Sequence, residues 1–254
     1  MPVGIGGALG YWLAEAEQGT ATKPKYRQML LELKKLMCVT YCTDELMADV
    51  TALGKVLTDA FTSEIAFKLD AAILNGTGAG CPLGILKSGA LIQIPKEAGQ
   101  AASTVCFENV AKIYARMLPR SRRNAVWIIS PSVETSLYSM SLSVGTGGIP
   151  VYLPASGAAG QPNASLFGRP VIVTEQSPNL GSVGDILFAD MQSYVLAEKG
   201  GIQTASSISL RFLEDEMAFR WVYRCDGQPI FSQPITPFNG GDTLSAFVAL
   251  AVRA

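Results

Sequence analysis

The strongest pattern along the chain is helical and runs from Thr43 to Leu74. Large apolar residues recur there at steps of three and four, which places them on one face of a helix: Val50, Leu53, Leu57, Phe61, Ile65, Leu69 and Ile73. Thr43 can cap the first turn, and Asn75-Gly76 is a typical C-terminal stop. A continuous helix of this length spans roughly 48 Å at 1.5 Å per residue. The pattern therefore predicts an elongated lobe.

The segments before this helix predict an extended hairpin. Ala8–Glu17 and Tyr26–Thr40 are apolar enough for two strands, and the polar run Gly19–Lys25 between them predicts the tip. The alternation in the second segment is imperfect, so a helix is an open alternative there. Because an isolated two-stranded arm is marginal in water, such a hairpin implies a neighbour on which it lies.

Beyond the long helix, the pattern predicts short helices mixed with strands. Helices are expected at Phe107–Leu118 and directly after Ser130, and Gly145–Pro162 is expected to be a Gly- and Pro-rich loop. Strands are expected at Ala125–Ile129, Arg169–Thr174, Asp185–Ala189, Ser193–Glu198, Gln203–Phe212, Ala218–Arg224 and Thr243–Val252. This order indicates an α+β fold, and no linker cleanly divides the chain.

The composition is unusually apolar for a chain without a membrane span. Of 254 residues, 48% are hydrophobic and only 16% are charged, against roughly a quarter charged in an average soluble domain. The longest apolar run, Ala246–Val252, is too short to cross a bilayer. Met1–Trp12 is apolar but lacks the basic leading region of a signal peptide. This balance favours surfaces hidden against other subunits, with an unusually apolar monomer as the alternative.

The charge pattern argues against a nucleic-acid-binding protein driven by phosphate contacts. The chain has 20 basic and 21 acidic residues, so it has no overall positive field. The densest basic group consists of Arg116, Arg120, Arg122 and Arg123. We interpret these arginines as solvated or subunit-bridging in preference to contacts with packaged nucleic acid.

The absence of histidine excludes several kinds of catalysis. Ser-His-Asp and Cys-His chemistry and His-ligated metal sites all require that residue, whereas Ser-Lys and carboxylate chemistry do not. The cysteines are odd in number and scattered, which indicates a reducing compartment and five buried thiols in place of a disulfide framework: Cys38, Cys42, Cys81, Cys106 and Cys225.

The remaining motifs have structural interpretations. Gly76-x-Gly78-x-Gly80 follows a helix, whereas a phosphate loop follows a strand and opens a helix, so we expect a tight exit turn. Glu214-Asp215-Glu216 is expected to be a charged turn between strands in preference to a cation site. The aromatic residues on the last strands are expected in the core or an interface: Phe212, Phe219, Trp221 and Tyr223. The sequence predicts no catalytic residue, no metal site and no cofactor.

The order of elements, together with particular stretches, resembles the Hong Kong 97-like major capsid proteins of tailed bacteriophages. The matching stretches are Tyr11-Trp12-Leu13-Ala14-Glu15, Lys34-Lys35-Leu36 through Thr43-Asp44-Glu45-Leu46-Met47-Ala48-Asp49, Leu69-Asp70-Ala71-Ala72-Ile73-Leu74-Asn75-Gly76-Thr77-Gly78, Pro82-Leu83-Gly84-Ile85-Leu86, Trp127-Ile128-Ile129-Ser130-Pro131 and Leu166-Phe167-Gly168-Arg169-Pro170-Val171. The resemblance covers nearly the whole chain.

The resemblance implies a Hong Kong 97-like fold with an extended loop over residues 1–42. It implies a peripheral lobe with a spine helix over 43–75 and 192–230, and an axial lobe over 76–191 and 231–254. Subunits of this family form pentamers and hexamers of an icosahedral head around double-stranded DNA, assembled in the bacterial host cytoplasm. Scaffold, portal and decoration proteins and non-specific contact with packaged DNA are the further partners it implies, and no membrane is expected.

The resemblance also implies residues for assembly, with two departures from the family pattern. The expected assembly residues are Tyr11, Trp12, Lys23, Lys25, Arg116, Arg120, Arg122 and Arg123. We expect the family's N-terminal arm to be largely absent, because the given sequence starts almost at the loop. Some members join subunits by a lysine–asparagine bond, but Glu214–Arg224, the expected partner region, contains no asparagine, so we expect no cross-link.

Two other functions compete with a phage shell subunit. One is an encapsulin-type compartment shell with the same fold. The other, from a different class, is a soluble hydrolase without histidine that uses Ser-Lys or carboxylate chemistry at the Gly76–Gly84 loop.

Overall fold

The structure is a computed structural model that describes residues 10–15, 17–19, 21–23, 27–49, 53–138, 140–144, 147–150, 152 and 165–253. Within these ranges the α-helices are α1 (Asp44–Asp49), α2 (Leu53–Asn75), α3 (Phe107–Arg116) and α4 (Pro131–Tyr138). The strands are β1 (Lys34–Thr43), β2 (Ile92–Ile94), β3 (Val126–Ile129), β4 (Ser141–Val144), β5 (Gly147–Pro150), β6 (Ser165–Leu166), β7 (Arg169–Val173), β8 (Ile186–Ala189), β9 (Tyr194–Glu198), β10 (Gln203–Arg211), β11 (Glu216–Pro229) and β12 (Phe247–Leu250).

The predicted long helix is described as α1 and α2, and residues 50–52 lie outside the described ranges. Thr43 caps α1 as expected, since its hydroxyl oxygen accepts from the Leu46 N–H at 3.4 Å. The predicted stop is also confirmed, because α2 ends at Asn75. With 23 residues, α2 alone is about 35 Å long at ~1.5 Å per residue.

The first sheet carries α2 on one face. Its strand order is β1-β11-β10, and β9 pairs with the far end of β11. The ring of Phe61 on α2 stacks on Trp221 of β11 with centroids 4.3 Å apart. The small core between helix and sheet consists of Ile65, Trp221, Tyr223 and Cys225, with Leu36, Cys38, Leu57, Phe61, Leu69 and Phe219 packed against it.

The second sheet has six strands in the order β2-β12-β8-β3-β7-β6. Its central strands β8 and β12 are buried along their whole length. One face lies under α3 and α4, through Val110 and Ile113 on α3 and Val133 and Leu137 on α4. The opposite face packs against Leu74 at the end of α2. Alternate residues of each central strand therefore enter two different cores.

The glycine-rich segment after α2 forms the predicted exit turn. Gly76 N–H donates to Ala72 O at 2.9 Å, and Gly84 N–H donates to Gly76 O at 2.8 Å. A Cβ at Gly76 would lie 2.2 Å from Pro82 O and 2.5 Å from Ala72 O. Only glycine fits there, because atoms at these separations overlap. The glycines thus allow two backbone segments to pass close to each other between the two sheets.

Several predicted elements differ from the structure. The expected first strand, Ala8–Glu17, is not a strand at its described residues, and the second, Tyr26–Thr40, begins only at Lys34 and pairs with β11. The predicted hairpin is wrong, because β1 pairs with β11, whose residues come about 180 positions later in the chain. The alternative helix in this segment is wrong as well. Within Gly145–Pro162, β5 pairs with β4, whereas most other residues of that loop lie outside the described part.

The prediction of five buried thiols is only partly right. All five cysteines are free, but only Cys42 and Cys225 are buried, while Cys38, Cys81 and Cys106 are partly exposed. Among the described residues, no helix is both long enough and apolar enough to cross a bilayer.

Candidate assembly surfaces

Three exposed surfaces of the first sheet and its flanking segments bear on function. The first is the extended segment, defined here as the described residues between Gly10 and Leu33. It has neither helix nor strand; Trp12 is fully exposed, Leu30 is largely exposed, and Tyr11 and Leu13 are about half exposed. The predicted assembly residues Tyr11 and Trp12 therefore lie on an uncovered apolar surface. Lys23 is also exposed, and Lys25 lies outside the described residues.

The base of the extended segment is fixed to the end of β11. Arg27 donates to Ile230 O at 3.0 Å, and the Glu32 N–H donates to a carboxylate oxygen of Asp226 at 2.7 Å. Gln228 donates to Leu30 O at 3.0 Å. These bonds hold residues 27–33 against the protein, so the residues before them leave the body of the chain from a defined point.

The second surface is the outer face of the first sheet, opposite α2. Strand alternation turns Leu36 and Cys38 of β1 toward α2 and sends the residues between them outward. The exposed residues of the outer face are Met37, Val39 and Tyr41 of β1 and Arg220 and Arg224 of β11. A sheet that buries one face and exposes apolar side chains on the other has a surface suited to a partner.

The third surface is the hairpin tip, which joins β10 to β11. Its charged turn was predicted from the sequence, but its exposed apolar residues were not. The hairpin tip exposes Ile208, Leu210, Phe212 and Leu213, the last with 98% of its surface accessible. Its only sequence signal is the alternation Ile208-x-Leu210-x-Phe212. Phe212 was expected in the core or an interface and is not in the core. Trp221 and Tyr223 are buried as expected, and Phe219 is partly buried.

The predicted charged turn at the hairpin tip is confirmed. Arg211 forms ion pairs with Glu214 at 3.4 Å and Glu216 at 2.9 Å, and its guanidinium lies 4.3 Å from the ring centre of Tyr41. Asp215 takes the left-handed conformation that closes the turn, with φ of 56°. No group of three or more potential metal ligands occurs here or elsewhere among the residues that the structure describes.

The four arginines predicted as one basic group separate into two pairs. Arg116 donates to Thr243 O at 2.7 Å and pairs with Asp242 at 3.5 Å. Arg122 donates to Ala115 O at 2.9 Å and lies over the ring of Tyr114. Both therefore stabilise their own chain. Arg120 and Arg123 are exposed, and Arg120 lies 5.4 Å from the ring centre of Phe231.

The titratable groups with shifted pKa values lie in structural positions. Burial, the hydrogen bond to Glu198 and the charge of that carboxylate raise the pKa of Tyr223 to about 12. Burial raises the pKa of Tyr194 above its ordinary range, and its hydroxyl donates to Leu83 O at 3.0 Å. Burial tends to raise the pKa of Cys81, but bonds from the Thr77 hydroxyl and from backbone N–H groups lower it overall.

Solved structures and a curated protein are similar to this chain. The capsid of an empty GTA particle, computed with C5 symmetry, matches with a TM-score of 0.71 and 19% identity over 96% of this chain and 81% of that one. The holo-SrpI encapsulin complex from Synechococcus elongatus PCC 7942 matches with a TM-score of 0.58 and 11% identity, over 91% of this chain and 77% of that one. These likenesses show the Hong Kong 97-like fold.

The sequence comparisons agree with the fold. The capsid polyprotein of Pseudomonas phage PAJU2 is 23% identical over 207 residues, which are 79% of this chain. The chain spans 30% of the length of that curated relative. The profile of the Phage capsid family matches residues 1–240. Because that match covers nearly the whole chain, the chain belongs to the Phage capsid family.

Proposed function

We propose that this chain is a major capsid protein, the structural subunit of an icosahedral phage head. Copies of the chain form pentamers and hexamers, and the closed shell encloses double-stranded DNA in the virion after assembly in the host cytoplasm. Family membership supports the capsid role. The observation that carries self-assembly is the exposure of apolar side chains on the extended segment and on the outer face of a sheet whose other face packs against α2.

The two sheets support a division of the chain into lobes. The peripheral lobe consists of residues 43–75 and 192–230 and holds the core around Trp221. The axial lobe consists of residues 76–191 and 231–254 and holds the six-stranded sheet. Residues 1–42 form the extended loop, although its last residues already belong to β1. Each lobe thus has its own core, and α2 reaches from one core to the other through Leu74.

The extended segment of one subunit lies over a neighbouring subunit in this proposal. Trp12 is fully exposed and Leu13 is about half exposed, and burial of a large apolar side chain contributes about 1.5–3 kcal/mol. Met37, Val39 and Tyr41 on the outer face likewise gain from a neighbour. Contacts of this kind account for the apolar surplus in the composition.

Charged residues have smaller proposed roles. Arg120 and Arg123 are exposed and are placed to contact a neighbour or packaged DNA, whereas Arg116 and Arg122 act within the chain. Scaffold, portal and decoration proteins are further proposed partners.

Lys23 and Lys25 form no covalent cross-link in this proposal, since the expected partner region has no asparagine. Single monomer bands from boiled particles on denaturing gels support this, and a ladder of bands contradicts it.

Size-exclusion chromatography with electron microscopy tests the assembly function. We expect rings or closed shells from the unmodified chain. We expect Val39→Glu to prevent them, because it places a charge in the apolar outer face, and Thr62→Glu on the exposed side of α2 to leave them intact. A stable monomer that turns over an ester or amide substrate would favour the hydrolase alternative.

The encapsulin alternative rests on the similarity to the SrpI complex. It predicts shells that contain a cargo protein in place of DNA. Nuclease-protected DNA of defined length in purified particles supports the phage head, and protein cargo without DNA supports the compartment shell.

A further inference from the structure

Two Asn-Gly pairs in this chain have the same local chemistry and very different surroundings. Asn-Gly is the sequence in which an asparagine amide is most readily converted to a carboxylate, because glycine has no side chain that covers its own backbone nitrogen. The pairs are Asn75-Gly76 and Asn239-Gly240. The first ends α2, and the second lies in the segment between β11 and β12. Any difference in their reactivity therefore comes from the fold.

The conversion requires the backbone nitrogen of the glycine to reach the side-chain carbonyl carbon, Cγ, of the asparagine. A bond forms between that nitrogen and Cγ, the bond from Cγ to Nδ2 breaks, and the proton of the glycine nitrogen leaves with Nδ2 as ammonia. Water then opens the resulting ring at either of its two carbonyl carbons and gives aspartate or isoaspartate. Water is the only co-reactant, so the chain needs no cofactor for this step.

The fold blocks the reaction at Asn75. Gly76 N–H donates to Ala72 O at 2.9 Å, and the Asn75 side-chain amide donates to Gln176 O at 2.7 Å. The carbonyl oxygens of Ala72 and Pro82 lie within 2.5 Å of the position of a Cβ on Gly76, so the backbone has no room to turn there. Both reacting groups are therefore held in place by bonds to other residues.

Asn239, in contrast, lies at the tip of an exposed loop. Ile235 and Leu244 close this loop through two backbone hydrogen bonds of 2.7 and 2.8 Å. Beyond them Phe238 is 82% exposed, and Asn239 and Gly240 are exposed as well. The Asn239 side chain forms no hydrogen bond with any residue that the structure describes. It is therefore free to rotate toward the nitrogen that follows it.

The backbone at Gly240 is open to the reaction. Gly240 N–H donates to Pro237 O at 3.1 Å, which joins the last and first residues of a four-residue turn. A Cβ at Gly240 would meet no atom within 4 Å, so the surrounding space is empty. Turns at exposed loop tips open at a far lower free-energy cost than backbone packed in a core. The Gly240 nitrogen thus becomes available whenever this turn opens.

From this contrast we infer that Asn239 is a site of spontaneous deamidation in the folded chain, and that the fold protects Asn75 from the same reaction. The product carries a carboxylate at position 239, as aspartate or as isoaspartate. The inference does not depend on whether the chain forms a shell.

The modification changes the loop in two ways. Asp242, close to Asn239 in the same loop, pairs with Arg116 at 3.5 Å. Deamidation adds a second carboxylate near that pair in the sequence and changes the formal net charge from −1 to −2. Isoaspartate also adds a methylene group to the main chain inside the loop that Ile235 and Leu244 close. Modified and unmodified chains thus differ in both the charge and the backbone length of this loop.

Isotope labelling of the folded and the unfolded chain tests the inference. The full chain is incubated near pH 8 in water enriched in ¹⁸O, with and without concentrated guanidinium chloride, and its peptides are analysed by mass spectrometry. In the denaturant we expect Asn75 and Asn239 to incorporate ¹⁸O at similar rates, since glycine follows both. In the folded chain we expect the rate at Asn239 to exceed the rate at Asn75 at least tenfold.

Three outcomes of this experiment overturn the inference. They are equal rates at the two positions in the folded chain, no conversion of Asn239 in the folded chain, and a tenfold difference that persists in the denaturant. The last outcome would show that the fold is not the cause of the difference.

Two glycine variants test whether the Gly240 nitrogen is the attacking group. Gly240→Ala places a methyl group beside that nitrogen. Gly241→Ala is the matched control, because both glycines have positive φ, 75° and 94°, and open space for a Cβ. We expect deamidation of Asn239 to slow about five- to tenfold for Gly240→Ala and less than twofold for Gly241→Ala. Equal slowing by both variants, or an unchanged rate in Gly240→Ala, overturns this assignment.

Discussion

Arg253 and Asp185 form an ion pair in which neither side chain has any exposed surface. Arg253 also donates to Thr104 O at 2.7 Å. Asp185 accepts from the N–H groups of Gly181 at 2.9 Å and Ile186 at 2.8 Å. The pair therefore fixes the segment after β12 to two loops at the border of the larger core.

Arg253→Ala is expected to lower the free energy of unfolding by about 3–5 kcal/mol, because it leaves the Asp185 carboxylate buried without its counter-charge. Urea unfolding followed by circular dichroism measures the change. Arg123→Ala removes an exposed arginine instead and is expected to change the stability by less than about 0.5 kcal/mol. Equal effects of the two substitutions would show that the buried pair has no special role.

Gly76→Ala is expected to prevent correct folding or to destabilise the chain by more than about 4 kcal/mol, since its Cβ would overlap two backbone oxygens. Gly54→Ala, in the first turn at the other end of α2, is the control. Its Cβ meets nothing within 4 Å, so we expect a gain of up to about 1 kcal/mol. Thermal unfolding of both variants measures the difference in stability. A small effect of Gly76→Ala would contradict the close approach of Gly76 to the backbone oxygens of Ala72 and Pro82.

The stability of the chain is expected to fall as the pH rises from about 10 through about 12. The pKa of Tyr223 is raised from an ordinary value of 10.0 to about 12 in the folded chain by burial and by Glu198. The stabilisation from the neutral phenol is therefore complete below pH 10 and is lost as the pH passes the folded pKa. Tyr223→Phe should reduce the decrease in the free energy of unfolding over this pH range. Urea unfolding between pH 8 and pH 12 measures it. Tyr194 has a pKa shifted in the same direction and accounts for the slope that remains.

Cys81 is expected to be alkylated faster than the other thiols near pH 7.5. Its pKa is lowered, whereas burial raises the pKa values of Cys38, Cys106 and Cys225. Thr77→Val removes the hydroxyl 3.7 Å from the Cys81 sulfur and should slow the reaction about three- to tenfold, because less thiolate is present. Thr77→Ser keeps the hydroxyl and should react like the unmodified chain. Iodoacetamide labelling with peptide mass spectrometry gives the rates, and equal rates for all three proteins would exclude this hydrogen bond as the cause.

Elements with a strong local period were predicted well. The stop of α2 at Asn75 follows from Asn75-Gly76. Val110, Ile113 and Met117, whose spacing places them on one face of the helix predicted at Phe107–Leu118, are all fully buried. Strand β11 was predicted too short, because Asp226-Gly227 has the composition of a turn. In the structure Gly227 continues the strand, and it is glycine because the ring of Tyr194 lies 2.7 Å from the position of a Cβ.

The assembly residues were harder to predict, since their roles depend on distant partners. Arg116 looked like part of an exposed basic group, but Thr243, 127 residues later, binds its guanidinium. Tyr11 and Trp12 were chosen from the resemblance and are indeed exposed. A cavity of about 330 Å³, which Gly54, Thr204 and Trp221 help to line, has no signal in the local sequence, because α2, β10 and β11 form it only when they come together.

The position of β12 has a consequence for the order of events during synthesis. Strand β12 lies between β2 and β8, and Val248 is paired with Ile92 and with Phe188. A ribosome must therefore complete β2, β3, β7 and β8 before the strand that joins β2 to β8 is available. Pairing over such a distance is slow, because the loop-closure entropy must be overcome first. A nascent polypeptide thus leaves β2 and β8 without the strand between them until residues 247–250 emerge from the ribosome.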